Sequence, residues 1–128
     1  MKTILEEPNV SVYLNEQNAT IVVDWKGEAT FPQFQFANDH ALLFAAKGGI
    51  KKILLNQALL KNPDYKTRSW SLFSFLPRVF KELGFNAKVA VIPADTESSF
   101  TKLLAKIQSD ILVHISDDSK EANQWLDA

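Results

Sequence analysis

The chain has 128 residues, 46% of them apolar, carries a formal charge of −1 at neutral pH and contains no cysteine. That length falls within one ordinary domain and supplies a core without covalent or metal staples, so residues 1–128 are expected to form a single unit. Without cysteine there is no disulfide, no thiolate nucleophile and no cysteine-held zinc or iron–sulfur cluster, a composition that suits a reducing compartment and makes the cytoplasm the expected location.

The N-terminal stretch MKTILEEPNV sets two glutamates and a proline where a signal peptide would need its apolar region, and no run reaches the length of a membrane span. The first strand is predicted from Asn9 to Asn15, where Val10, Val12 and Leu14 alternate with polar residues. Ile21, Val23 and Trp25 repeat the pattern, and the five polar residues between the two strands are of hairpin length. After a break at Gly27 to Thr30, a helix is predicted from about Pro32 to Lys47. Proline suits its first turn, Phe36, Leu43 and Phe44 recur at helical spacing, and Gly48-Gly49 stops it through a left-handed cap.

Three short apolar runs follow, around Ile53 to Leu55, Val89 to Ile92 and Ile111 to Ile115. They do not alternate, which is the mark of parallel strands covered on both faces. Ala58 to Lys66 is predicted to be the longest structureless piece, a loop beyond the carboxyl end of a strand, where open α/β sheets usually hold ligands. The helix after it is very apolar: Leu72, Phe73, Phe75, Leu76, Val79, Phe80 and Leu83 fill one wide arc, with Trp70 at its far margin. Either neighbouring helices cover Trp70, or an aromatic surface stays open for a partner. Pro77 lacks an N–H and crowds the carbonyl of Phe73, so one bent helix ending at Gly84 is expected. A further helix carries Phe100, Leu103, Leu104 and Ile107, and a last one begins at Asp118, with Glu121 at capping-box spacing and Ala122, Trp125 and Leu126 to bury. The order β-β-α-β-α-β-α-β-α predicts an α/β fold: one mixed sheet with an N-terminal antiparallel hairpin leading into right-handed βαβ crossovers.

The residues offer little chemistry. His40 and His114 have no metal-ligand spacing, no serine sits in a nucleophile elbow, and KGGIKK lacks the spacing of a phosphate-binding loop. Asp117 and Asp118 are explained by a helix start. No enzymatic activity, cofactor or metal is therefore expected. Charge is unevenly spread: residues 1–46 hold 2 basic and 6 acidic side chains, residues 47–88 hold 9 and 2, and residues 89–128 hold 3 and 7. The basic middle third reads either as a solvated rim or as a surface for an anionic ligand or acidic partner, and no nucleic-acid reader motif accompanies it.

Two pieces of sequence carry a family resemblance. Trp70, then Phe75-Leu76-Pro77-Arg78, Leu83-Gly84-Phe85 and Lys88-Val89-Ala90-Val91-Ile92-Pro93, together with Ile115-Ser116-Asp117-Asp118, Glu121-Ala122 and Trp125-Leu126, resemble the small bacterial STAS-like (SpoIIAA-like) domains. The hairpin ending in VVDWKG is similar to theirs as well. The resemblance implies a mixed-sheet α/β domain acting as an interaction or regulatory module, in some members a suspected binder of apolar small molecules. The strand that would carry the phosphorylated serine of the anti-sigma factor antagonists ends here in Leu55-Asn56-Gln57, so the phospho-switch is not carried over, although Thr67 and Ser69 lie near the next helix start. The reading is a non-enzymatic domain that binds another protein or a second copy of itself through Lys61, Tyr65, Arg68, Trp70 and Phe73, with an apolar or acidic, lipid-like small molecule as the alternative partner.

Overall fold

Alternation in the N-terminal third becomes antiparallel pairing. The computed structural model describes residues 1–61, 63–94 and 113–128. β1 (Lys2–Glu7), β2 (Val10–Asn15) and β3 (Thr20–Gly27) pair antiparallel in sequence. β4 (Lys52–Leu60), β5 (Lys88–Ile92) and β6 (Val113–Ile115) then run parallel to β3, completing a six-stranded mixed sheet in the order β1-β2-β3-β4-β5-β6. Ile53, Val89 and Val113 are neighbours across three successive parallel strands, as their non-alternating runs require.

β1 is an addition to the predicted order. Its register slips between Thr3 and Leu5, so the strand lacks the two-residue period that betrays β2 and β3. The same irregularity blunts that edge against strand addition, and the opposite edge, β6, has only three residues. β4 corrects a second expectation, because Ala58 to Leu60 belong to the strand and not to a loop. Asp24 lies opposite Asn56 but Lys26 opposite Leu59, so β4 carries an extra residue there. The Asn56 Oδ1 accepts the Ala58 N–H at 3.2 Å within this bulge. Leu59 is thereby turned to solvent and Leu60 into the core.

α1 (Phe31–Gly48) starts on a capping box: the Gln33 N–H donates to Thr30 Oγ1 at 3.2 Å, and the Thr30 N–H donates to Gln33 Oε1 at 2.9 Å. It stops at Gly49, whose φ of 67° is the left-handed conformation that glycine adopts freely. Its buried face is Phe34, Ala37, Asn38, Ala41, Leu42 and Ala45, whereas Phe36 and Leu43, expected to face inward, point to solvent. The alanines let the helix lie close to the sheet, and this close approach decides which stripe goes down.

The apolar segment is one continuous helical run in three parts: α2 (Tyr65–Trp70), a π-helical turn (Ser71–Phe75) and α3 (Leu76–Leu83). The π turn precedes Pro77, and within it the Leu76 N–H donates to the Ser71 carbonyl, five residues back. Gly84 ends the run at φ 97°, and Lys51 Nζ donates to the last carbonyl, that of Leu83. The predicted helix containing Phe100, Leu103, Leu104 and Ile107 lies outside the described residues.

The sheet has two unlike faces. On one, Val12, Ile21, Val23, Trp25, Ile53, Leu55, Val89 and Val91 pack under α1 and the three-part helical run. On the other, Val22, Leu54, Ala90 and Ile92 are covered by Ala122 and Leu126 of α4 (Ser119–Asp127). Asp118 caps α4, accepting the Glu121 N–H at 2.8 Å. Trp125 is stacked on His114, with ring centroids 5.0 Å apart, while Lys88 Nζ lies 5.2 Å from the same ring and donates to the Trp125 and Ala128 carbonyls. α4 sits over β4 to β6, and among the described residues no helix covers the carboxyl end of β3 on this side, where Ser11, Asp24 and Lys26 remain partly or fully exposed. Among the described residues no helix is long and apolar enough to cross a membrane.

Candidate functional site

The residues marked by the sequence are distributed between surface and core. Lys61 follows β4 directly, its backbone N–H donating to the Gly27 carbonyl at 2.8 Å while its side chain is exposed. Asp64 caps α2 by accepting the Thr67 N–H at 2.7 Å, and that bond holds its carboxyl below the usual aspartate range. Tyr65, the first residue of α2, is 83% exposed; Arg68 and Ser69 are half-buried, and Thr67 is buried. Trp70 is half-buried and drawn inward: it meets Phe31 and Phe34 of α1 edge-on at 6.2 and 5.9 Å and stacks on Phe75 at 5.5 Å. Helix α1 thus supplies the cover for Trp70, and Phe73 reaches solvent instead. Lys66, not singled out by the sequence, places its ammonium 4.7 Å from the Phe31 ring.

A different surface has the better-formed concavity. A groove of about 300 Å³ opens between the β1–β2 turn and the start of α1, with Leu5, Val10, Pro32, Phe36 and Ala37 as apolar walls and Glu7, Asn9 and Gln33 at its polar end. That volume is at the small end of ligand-sized pockets. The polar end is rigid, since Asn9 Nδ2 donates both to the Glu28 carbonyl at 2.9 Å and to Gln33 Oε1 at 3.2 Å, the same oxygen that closes the α1 capping box. Phe36 forms the outer lip and is 57% exposed, with its ring stacked on His40 at 5.5 Å. Leu43, two turns on, continues the apolar line along the outward face of α1. Sequence reading missed this surface because it took Phe36 and Leu43 as core and left Leu5 outside any element.

The uncovered half of the second sheet face holds a polar row. Glu6, Ser11, Asp24 and Asn56 are successive partners across β1, β2, β3 and β4. Burial pushes the Asp24 carboxyl above its ordinary value, against a smaller opposing pull from Lys26. Burial also raises the Tyr13 hydroxyl, and the Asp24 charge adds to the effect. Because ionised Asp24 is the disfavoured form in the folded chain, its contribution to stability falls as pH rises from the usual aspartate range through the raised folded value. Asp24→Asn is accordingly expected to be more stable than the parent at about pH 7, and to lose that advantage at about pH 3, in urea unfolding at the two pH values. An advantage independent of pH would contradict the assignment.

Among the described residues no three or more histidine, aspartate or glutamate side chains are placed to hold a metal ion. Compared with models of known protein families the sequence gives no match, and compared with curated proteins it gives none either.

Proposed function

We propose that the chain is a STAS-like, SpoIIAA-like domain that acts without catalysis, as a regulatory or interaction module, and that its partner is a second copy of itself. The likeness in sequence is supported by the element order: antiparallel strands lead into parallel strands separated by helices, and a final helix returns over the sheet. The observation that carries the interaction reading is the exposed line of Phe36 and Leu43 beside the apolar groove. A seven-residue spacing on one helix face is self-complementary about a two-fold axis, since an antiparallel α1 pair sets Phe36 of one copy opposite Leu43 of the other. Asp39 on the flank is already neutralised by Arg78 at 2.9 Å, so two copies can approach without repulsion there. The sheet edges are poor alternatives, one being irregular and the other short.

Sedimentation velocity over a wide concentration series tests this. The parent is expected to associate reversibly, and the Phe36→Asp, Leu43→Asp double variant to stay monomeric with an unchanged circular dichroism spectrum. A parent that is monomeric throughout, or a double variant that still associates, would refute it. One observation favours a second reading, in which an apolar small molecule occupies the groove: its volume and apolar walls suit a short hydrocarbon. Native mass spectrometry of protein purified from its own host separates the two, because a retained ligand mass supports the second. The space between the apolar helix and the sheet is less suited to such a ligand, being filled by Phe75, Val79 and Leu83.

A further inference from the structure

The outward stripe of α1 carries a histidine, the side chain whose charge changes nearest neutral pH. At about 100° per residue, Leu43 lies roughly 20° from Phe36 around the helix axis, with Asp39 roughly 60° from Phe36 on that same side and His40 roughly 40° from it on the other. The two flanks meet different neighbours. Asp39 faces α3, where Arg78 Nη1 lies 2.9 Å from its Oδ1. His40 is half-buried on the flank nearer β1: its ring stacks on Phe36 at 5.5 Å, and Phe44, one turn further along, has Lys2 Nζ of β1 5.6 Å from its ring.

A two-fold axis that sets Phe36 opposite Leu43 of a second copy crosses α1 between Asp39 and His40, the midpoint of that spacing. Such an axis is perpendicular to both helices and lies in the plane of contact, so it keeps each flank on its own side. His40 of one copy then meets His40 of the other, and Asp39 meets Asp39. The aspartates arrive already paired with Arg78, whereas His40 has no hydrogen bond or ion pair among the described residues. Its stack on Phe36 holds each imidazole beside the contact and not out in solvent. The other charges on this flank are Lys2 and Glu7 of β1 and Lys47 of α1, which together are positive and so add to any positive charge placed there.

We infer that protonation of His40 switches self-association off, a role that rests on the α1 pairing proposed above: neutral imidazoles pack across the two-fold axis, and imidazolium ions in both copies drive the pair apart. Two effects share this sign. Like charges within a Debye length repel, and closing the contact strips water from an imidazolium that is hydrated in the single copy. Association therefore releases protons; it is strongest above the ordinary histidine range and weakens as pH falls through it.

The test is sedimentation velocity of the full chain at about pH 8 and about pH 5.5, with circular dichroism recording the fold at each. The dissociation constant of the pair is expected to rise about tenfold at the lower pH, and that rise to shrink when ionic strength is taken from about 0.05 M to about 0.5 M. His40→Gln, which takes up no proton, is expected to associate and to lose most of the pH dependence. His114→Gln, on the opposite sheet face beside Trp125, is expected to keep it. A parent that associates equally at both pH values, or more tightly at the lower one, overturns the switch and leaves the α1 pairing standing, as does a His40→Gln variant with the full pH dependence. A parent that is monomeric at both pH values overturns the pairing and the switch together. Should His40→Gln fail to fold, the salt series on the parent decides: a pH effect that shrinks with salt upholds the switch, and one unchanged by salt refutes it.

Discussion

Trp25→Ala is expected to lower the unfolding free energy by about 3–5 kcal/mol, enough to bring the thermal midpoint down by roughly 10–20 °C in a domain of this size. Trp25 is 1% exposed and sits on β3, a strand with neighbours on both sides. Its ring stacks on Phe34 at 5.3 Å, Phe34 meets Trp70 edge-on, and Trp70 stacks on Phe75. The four rings form a column that joins the sheet to α1 and to the π turn, and alanine removes its end on the sheet, leaving Phe34 without its stacking partner. Trp25→Phe is expected to cost far less. It keeps a ring on Phe34 and removes an indole N–H that has no hydrogen-bond partner among the described residues. Urea unfolding of both variants provides the check; equal losses would mean that the indole nitrogen, and not the ring column, supplies the stability.

That column shows how far the sequence could be read. Alternation placed Trp25 on the inner face of its strand with Val23 and Ile21, and the structure puts all three in one core. Most helix ends were equally legible, because Pro32, Gly49, Gly84 and Asp118 signal through their own local backbone chemistry, whereas the capping box of Thr30 went unread. The face that α1 buries was not. Phe36 and Leu43 outweigh Ala37, Ala41 and Ala45 in hydrophobicity, but a helix pressed close to a sheet needs small side chains beneath it, a requirement of the packing partner and not of the helix. β1 escaped for a related reason: its irregularity between Thr3 and Leu5 removes the period by which a strand is recognised.

The candidate sites divide along the same line. Lys61 and Tyr65 are placed on the surface by the loop predicted beyond a strand end, and the structure exposes both, although Tyr65 opens α2. Trp70 stands between two readings, since its angle puts it at the stripe margin and only the position of Phe31 and Phe34 on α1 shows what packs against it. Asp24 did leave a signal, an acid set between Val23 and Trp25, but the row it forms with Ser11 and Asn56 depends on the register of three strands, which no single segment encodes.

Phe75→Ala and Phe73→Ala should differ sharply, and the difference tests the π turn itself. In an unbroken α-helix residues five apart lie about 140° around the axis from one another, so Trp70 and Phe75 could not share a face. The widened turn from Ser71 to Phe75 brings them into a stack at 5.5 Å and leaves Phe75 fully buried, while Phe73 is 65% exposed. Phe75→Ala is therefore expected to cost about 3–5 kcal/mol and Phe73→Ala within about 0.5 kcal/mol of nothing, both read from urea unfolding of the same parent. On a regular helical wheel the two phenylalanines sit at opposite margins of one apolar stripe, which predicts comparable losses. Comparable losses would show that the helix passes Pro77 without the wide turn, and the stacking that ties α2 to the core would have to be abandoned with it.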